Sequence, residues 1–307
     1  MIGRLGVRRP LWQPEGMADS FAARFAAIRA RYGPLVWGLD PSGALLKSWG
    51  FGDSAAGLDR FADVVLDAAA GTVGLVKPQS AFFERHGWRG IRTLQRLLVT
   101  ARRAGLLTIL DVKRGDVGST NDAYARAFLG AGAPLEADAV TVHPYLGLAA
   151  MDAFVTRAAA AGACLLVVTR SSNPEGRAVQ VARCRGEARG RGRTVEETLL
   201  GQIGALNAAL APGEIGPVGA VIGPTPQRPP LDQYPPLDLA AAHALFLAPG
   251  VGAQGATVAD VAQTFTACPD RVMPSASRSL LSAGPGVGAL RAKVTALAAE
   301  MSAALGG

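Results

Sequence analysis

Short apolar runs alternate with amphipathic stretches along the whole chain. Leu35-Val36-Trp37-Gly38-Leu39, Val73-Gly74-Leu75-Val76, Leu106-Leu107-Thr108-Ile109-Leu110 and Ala139-Val140-Thr141-Val142 are runs of strand length. So are Cys164-Leu165-Leu166-Val167-Val168-Thr169, Val218-Gly219-Ala220-Val221-Ile222 and Leu245-Phe246-Leu247-Ala248, and a short eighth strand is expected near 271–273. Nearly unbroken apolar character points to strands buried on both faces, as in a parallel sheet. Helical patterns are expected near 20–32, where Ser20 is the cap and Phe21, Phe25 and Ile28 form one stripe, and near 58–70, 88–104, 122–129, 148–161, 195–210, 257–266 and 287–305. Residues 43–56 read as a Gly/Ser-rich loop, and Ser119-x-x-Asp122 has the form of a capping box for the helix at 122.

Eight strands, nearly all followed by a helix, give the rhythm of an α/β fold of the (β/α)8, or TIM, barrel type in a single domain. The barrel is expected over 17–307, with a loose arm at 1–16 and an Arg/Gly-rich insertion near 177–193. A doubly wound open sheet is the alternative, but no Gly-x-Gly-x-x-Gly follows the first strand.

The polar residues fall where such a barrel builds its active site, at the C-terminal strand ends. The first strand ends in Asp40-Pro41-Ser42, the second in Lys77-Pro78-Gln79, the fourth in His143-Pro144 and the fifth in Arg170-Ser171-Ser172-Asn173-Pro174. Taken singly, Asp40 reads as a turn-forming residue, Lys77 as a snorkelling surface lysine and His143 as a packed, hydrogen-bonded side chain. The third strand runs into Asp111-Val112-Lys113-Arg114-Gly115-Asp116-Val117-Gly118-Ser119-Thr120. Asp111 and Lys113 are two apart and should point to one side, while Asp116 lies past Gly115, where the chain has turned. After the seventh strand, Pro249-Gly250-Val251-Gly252-Ala253-Gln254-Gly255 offers backbone N–H groups ahead of a helix; Ser275-Ala276-Ser277-Arg278-Ser279 follows the eighth.

Composition sharpens this in two ways. The chain has 307 residues, 49% of them hydrophobic, and a net charge of +7, but the basic residues are scattered rather than striped, which argues against a nucleic-acid face. Only four of these residues are lysines (Lys47, Lys77, Lys113, Lys293) against 27 arginines, and two of the four stand at strand ends. Lysine is the cation that can surrender a proton. Three scattered cysteines and three scattered histidines form no metal-ligand pattern, and no apolar run reaches membrane-spanning length or forms a signal-peptide core. A soluble cytoplasmic protein with no membrane partner is the expectation.

Asp111-x-Lys113-x-x-Asp116 resembles the catalytic motif of the orotidine 5′-phosphate decarboxylase family, and Lys113-Arg114-Gly115-Asp116-Val117-Gly118-Ser119-Thr120 resembles its longer branch. Gly38-Leu39-Asp40, Val76-Lys77-Pro78, Ser172-Asn173-Pro174, the Pro249–Gly255 run and Ser277-Arg278-Ser279 match in the family's order. The resemblance implies decarboxylation of orotidine 5′-phosphate to uridine 5′-phosphate in pyrimidine synthesis, without metal or cofactor. It implies Lys113 as proton donor, with Asp111, Asp116 and Lys77 completing an alternating charge array. It places Asp40 and Lys77 at the ribose, Ser172 at the pyrimidine, and Gln254 and Arg278 at the phosphate, and counts Ser277 among the substrate-binding residues. It also implies a homodimer in which Asp116 and Thr120 reach the neighbouring subunit's site.

Three other readings compete. Metal-dependent sugar-phosphate decarboxylases and aldolases of the same superfamily share Asp-x-Lys-x-x-Asp, but end their second strand in an acidic metal ligand. Here that position is Lys77, a cation that would repel Mg²⁺. A non-catalytic nucleotide-phosphate binding protein would need the phosphate loops but not a costly buried charge array. An RNA-binding segment over 185–193 is the third.

Overall fold

The computed structural model describes residues 19–185, 192–224, 236–252 and 255–306; the arm expected at 1–16, Gln254 and residues 186–191 of the Arg/Gly-rich insertion lie outside them. Eight parallel strands close into a barrel in sequence order: β1 (Val36–Leu39), β2 (Leu75–Pro78), β3 (Leu107–Arg114), β4 (Ala139–Val142), β5 (Cys164–Arg170), β6 (Val218–Ile222), β7 (Phe246–Pro249) and β8 (Val272–Ala276). The helices are α1 (Phe21–Tyr32), α2 (Gly43–Ser48), α3 (Ala55–Ala69), α4 (Ala81–Glu84), α5 (Gly87–Arg103), α6 (Gly118–Phe128), α7 (Asp152–Ala161), α8 (Arg177–Gln180), α9 (Val195–Leu210), α10 (Val258–Thr264), α11 (Arg278–Leu281) and α12 (Val287–Ala304).

Alternation along each strand sorts its side chains into two cores. Outward positions such as Trp37, Leu110, Val140, Val142, Leu165 and Val167 pack against the helices. Inward positions such as Val36, Leu75, Ile109, Ala139, Leu166, Val221 and Leu247 fill the barrel. The apolar runs therefore carried no period-2 signal, because both faces of each strand are buried. Phe21 and Phe25 of α1 join the interior cluster and plug the barrel, each burial contributing roughly 1.5–3 kcal/mol. Ile28 lies so close to β2 that a Cβ on Gly74 would stand 2.0 Å from its Cγ2.

Three local expectations need correction. The stretch read as a loop at 43–56 contains α2, whose first turn is capped by the Ser42 hydroxyl accepting from Leu45 N at 3.2 Å. The helix expected at 122 starts at Gly118 with Val117 at the cap position, so Ser119 and Thr120 lie inside it and the capping box is absent. Asp122 pairs instead with Arg126 at 2.7 Å. Part of the insertion near 177–193 is regular, with α8 and an antiparallel bridge between Arg183 and Thr194.

That excursion is pinned at its base. Arg170, the last residue of β5, donates from Nε to Glu196 Oε2 at 2.6 Å and from Nη2 to Oε1. Glu196 is fully buried in the first turn of α9. Removing one partner of a buried pair strands the other charge, at a cost of about 3–5 kcal/mol. Glu196→Gln should therefore lower unfolding stability by about that much, and adding Arg170→Met should recover part of the loss. A single variant within about 0.5 kcal/mol of wild type in chemical denaturation would show that the pair is not an anchor.

Candidate active site

The site begins with a defect in the β3–β4 ladder. Leu110 pairs with Val140 and Arg114 with Val142, so residues 111–113 stand opposite Thr141 alone. This bulge twists the strand and re-aims its side chains. Lys113 takes φ +43°, the left-handed region that a lysine rarely adopts, and its N–H leaves the ladder to donate to Thr141 Oγ1 at 3.0 Å. Asp111 and Lys113 do converge, as their spacing suggested, but through this bulge rather than by plain alternation.

The charges alternate in space. Lys77 Nζ donates to Asp111 Oδ2 at 2.9 Å, and Lys113 Nζ donates to Asp111 Oδ1 at 2.5 Å. Thr141 Oγ1 donates to the same Oδ1 at 2.8 Å. Asp111 and Lys77 are each only 7% exposed, and bare charges at that depth would be expensive. Burial pushes the Asp111 carboxyl toward neutrality, but the two ammonium groups and their hydrogen bonds reverse that and hold it well below the usual carboxylate range. Burial likewise opposes the charge on Lys77, and Asp111 with Asp40 overcomes it, so its pKa is raised. His143 is exposed at the end of β4; desolvation first, then the nearby Lys113 charge, lower its pKa. The packed side chain expected there is therefore not found: what the structure fixes is the backbone, whose His143 N donates to Arg114 O at 2.9 Å.

Lys77, Asp111, Lys113 and Thr141 line a cavity of about 660 Å³ at the C-terminal mouth of the barrel. The structure brings Asp40, Lys77, Asp111, Lys113, Ser172, Ser277 and Arg278 together on its wall, over a floor that includes Val168, Val221 and Leu247. Asp40 Oδ1 and Ser277 Oγ are buried without a hydrogen-bond partner among the described residues, so both can still bind a ligand. Asp116 and Thr120 are not on this wall. The backbone of Asp116 is fixed by the buried Asn121, whose Oδ1 accepts from Asp116 N at 2.9 Å and whose Nδ2 donates to Asp116 O and to Ala150 O.

Sequence reading passes over Gln79 and Thr141 and takes Phe82, with Phe83, as core rather than ligand platform; Gln79, Thr141 and Phe82 also line the cavity. Gln79 Oε1 is buried with no partner among the described residues. Its place two residues after Lys77 was the available signal, because alternate residues at a strand end share a side. Phe82 is half-buried at the wall while Phe83 is fully buried, so only the second is core. Among the described residues no group of three or more His, Cys, Asp or Glu side chains could hold a metal ion.

Residues 33–292 match the model of the orotidine 5′-phosphate decarboxylase / HUMPS family. A Salinispora arenicola protein named orotidine 5′-phosphate decarboxylase is 47% identical over 291 residues, covering 94% of this chain and 99% of that one. A Streptomyces coelicolor protein of the same name is 45% identical over 287 residues, with 94% and 99% covered. A crystal structure from Streptomyces avermitilis, provisionally given the same name, superposes with a TM-score of 0.86 at 41% identity, covering 97% of this chain and all of that one. Leishmania donovani OMP decarboxylase shares the fold, with a TM-score of 0.70 at 24% identity over 94% of this chain and 99% of that one.

The electrostatics give a pH test. The folded-state pKa of Asp111 lies below its unfolded value of about 3.9, so its contribution to stability is complete above that value and fades as pH falls toward the folded one. Asp111→Asn removes the carboxylate that pairs the buried Lys77 ammonium and should cost about 3–5 kcal/mol at pH 7. At pH 3 the gap between wild type and variant should be smaller by about 1 kcal/mol. A gap that is constant from pH 7 to pH 3 in urea titrations would contradict the ionised, paired Asp111.

Proposed function

The chain belongs to the orotidine 5′-phosphate decarboxylase / HUMPS family, and from that premise we infer how its cavity converts orotidine 5′-phosphate to uridine 5′-phosphate and CO2 in pyrimidine biosynthesis. One observation carries the reading: the Lys77–Asp111–Lys113 array, in which Lys77 and Asp111 are buried and Lys113 opens to the cavity. The sugar-phosphate branch would need an acidic metal ligand at the end of β2, and the buried cation of Lys77 occupies that place.

In the proposed mechanism the substrate carboxylate lies beside Asp111 and C6 lies within reach of Lys113 Nζ. The C6–carboxylate bond breaks heterolytically, its electron pair stays on C6 in the ring plane, and CO2 leaves. No adjacent π system accepts that pair, so the fixed ammonium stabilises it and then transfers a proton to C6. Solvent reprotonates the Lys113 amine, and the balance is one proton consumed and one CO2 released. Like-charge repulsion between Asp111 and the substrate carboxylate is relieved as the CO2 departs. Asp40, Lys77 and Gln79 are assigned to the ribose, Ser172 to the pyrimidine, and Ser277, Gln254 and Arg278 to the phosphate, a remote group whose binding energy supports the chemical step. The unpartnered oxygens of Asp40, Gln79 and Ser277 support these assignments.

We assign Asp116 and Thr120 to the site of a second copy of this chain. In support, neither lines its own cavity, and Val117, Tyr145 and Leu146 beside Asp116 and after β4 are 54%, 83% and 53% exposed. Such side chains suit a self-complementary twofold contact. The expected compartment is the cytoplasm. The three cysteines are free thiols, and burial pushes Cys164 up to about 12 and Cys268 up to about 11, as suits inert thiols. No helix among the described residues is long and apolar enough to cross a membrane.

Subunit mixing tests the shared site with orotidine 5′-phosphate turnover as readout. Lys113→Ala and Asp116→Ala homodimers should both be nearly inactive. After dissociation and equimolar reassociation, half the dimers are mixed, and each mixed dimer has one site with both residues intact. About a quarter of wild-type activity should return. Subunits that demonstrably exchange without regaining activity would place Asp116 in its own chain's site.

A further inference from the structure

Thr141 occupies an inward position of β4, one layer above Ala139, with Val140 and Val142 facing the helices. It is 1% exposed. Barrel interiors at this depth are usually filled by branched apolar side chains, and valine would match the threonine in shape. A buried hydroxyl is costly unless it is hydrogen-bonded, so packing alone does not account for this one. Its bonds do. The hydroxyl donates to Asp111 Oδ1 at 2.8 Å and accepts from Lys113 N at 3.0 Å. It stands opposite the three residues of the bulge and closes both of the openings that matter there. One is the N–H that Lys113 withdraws from the ladder in reaching φ +43°. The other is the carboxylate oxygen that Lys113 Nζ also binds.

From this geometry we propose that Thr141 is a positioning residue, resting on the proton-donor role assigned to Lys113. Its hydroxyl holds the Lys113 backbone in the left-handed conformation and fixes the rotamer of Asp111, so that the ammonium points into the cavity. It touches no substrate atom in this account. Without the hydroxyl, Lys113 N–H has no partner in the bulge and Asp111 loses one of the three donors that orient it. Displacing a reacting group by about 1 Å can cost on the order of a hundredfold in rate.

Thr141→Val, Thr141→Ser and Thr141→Ala separate hydroxyl from shape. The valine variant should bind uridine 5′-phosphate within about threefold of wild type and lose kcat by about 10- to 100-fold, with KM little changed. The serine variant should recover most of the kcat. Serine that is as impaired as valine, or valine with wild-type kcat, would overturn the proposal. If valine does not fold, the serine–alanine pair makes the same comparison. A crystal structure of the valine or alanine variant adds a readout independent of turnover: Lys113 should leave the left-handed region and its ammonium should move away from Asp111. An unmoved Lys113 contradicts the positioning role whatever the reaction, whereas a wild-type protein inactive on orotidine 5′-phosphate would refute the functional reading itself.

Discussion

A carboxylate buried between two ammonium groups is the constraint on which the rest depends. Asp111 can remain ionised at 7% exposure only because Lys77 and Lys113 both reach it, one from the neighbouring strand and one from its own. The bulge in β3 supplies the second by turning Lys113 back toward Asp111. The site's charge and the local backbone distortion are therefore one feature, and the surrounding barrel must be stiff enough to maintain it.

The barrel provides that stiffness at low cost because its interior is apolar and layered. Aliphatic side chains from β1 to β8 fill it up to the level of Val168, Val221 and Leu247, and Phe21 and Phe25 join the same cluster. Polar groups are admitted only above that floor, each with a partner or with an open face toward the cavity. A second irregularity, between Val168 and Arg170 in β5, sits at the other polar loop, where the Arg170–Glu196 pair anchors the chain before Ser172. Both departures from regular pairing thus fall at strand ends that carry proposed substrate contacts.

Much of this was legible in the sequence for a simple reason: charge at the end of an apolar run has no packing explanation. Asp111 and Lys113 were visible in that way, whereas Asp40, Lys77, Ser172, Ser277 and Arg278 were singled out by the family resemblance; all seven share one cavity. Thr141 was not, because a threonine inside Ala139-Val140-Thr141-Val142 looks like any β-branched strand residue. The bulge was equally invisible, since no glycine marks it and a lysine holds the left-handed position. The start of α6 was misplaced because Gly118, at φ +53°, begins the helix with no side-chain cap, while Asn121 secures the preceding loop in place of the serine. A six-residue helix such as α2 is too short to show a period.

The central claim is that placed charge alone performs the decarboxylation. The most direct measurement is the ultraviolet-detected consumption of orotidine 5′-phosphate in excess chelator, on protein whose metal content has been brought below one ion per ten chains or about that. The account predicts turnover equal to that without chelator and unchanged by added Mg²⁺. Activity that disappears with chelator and returns with Mg²⁺ would contradict it.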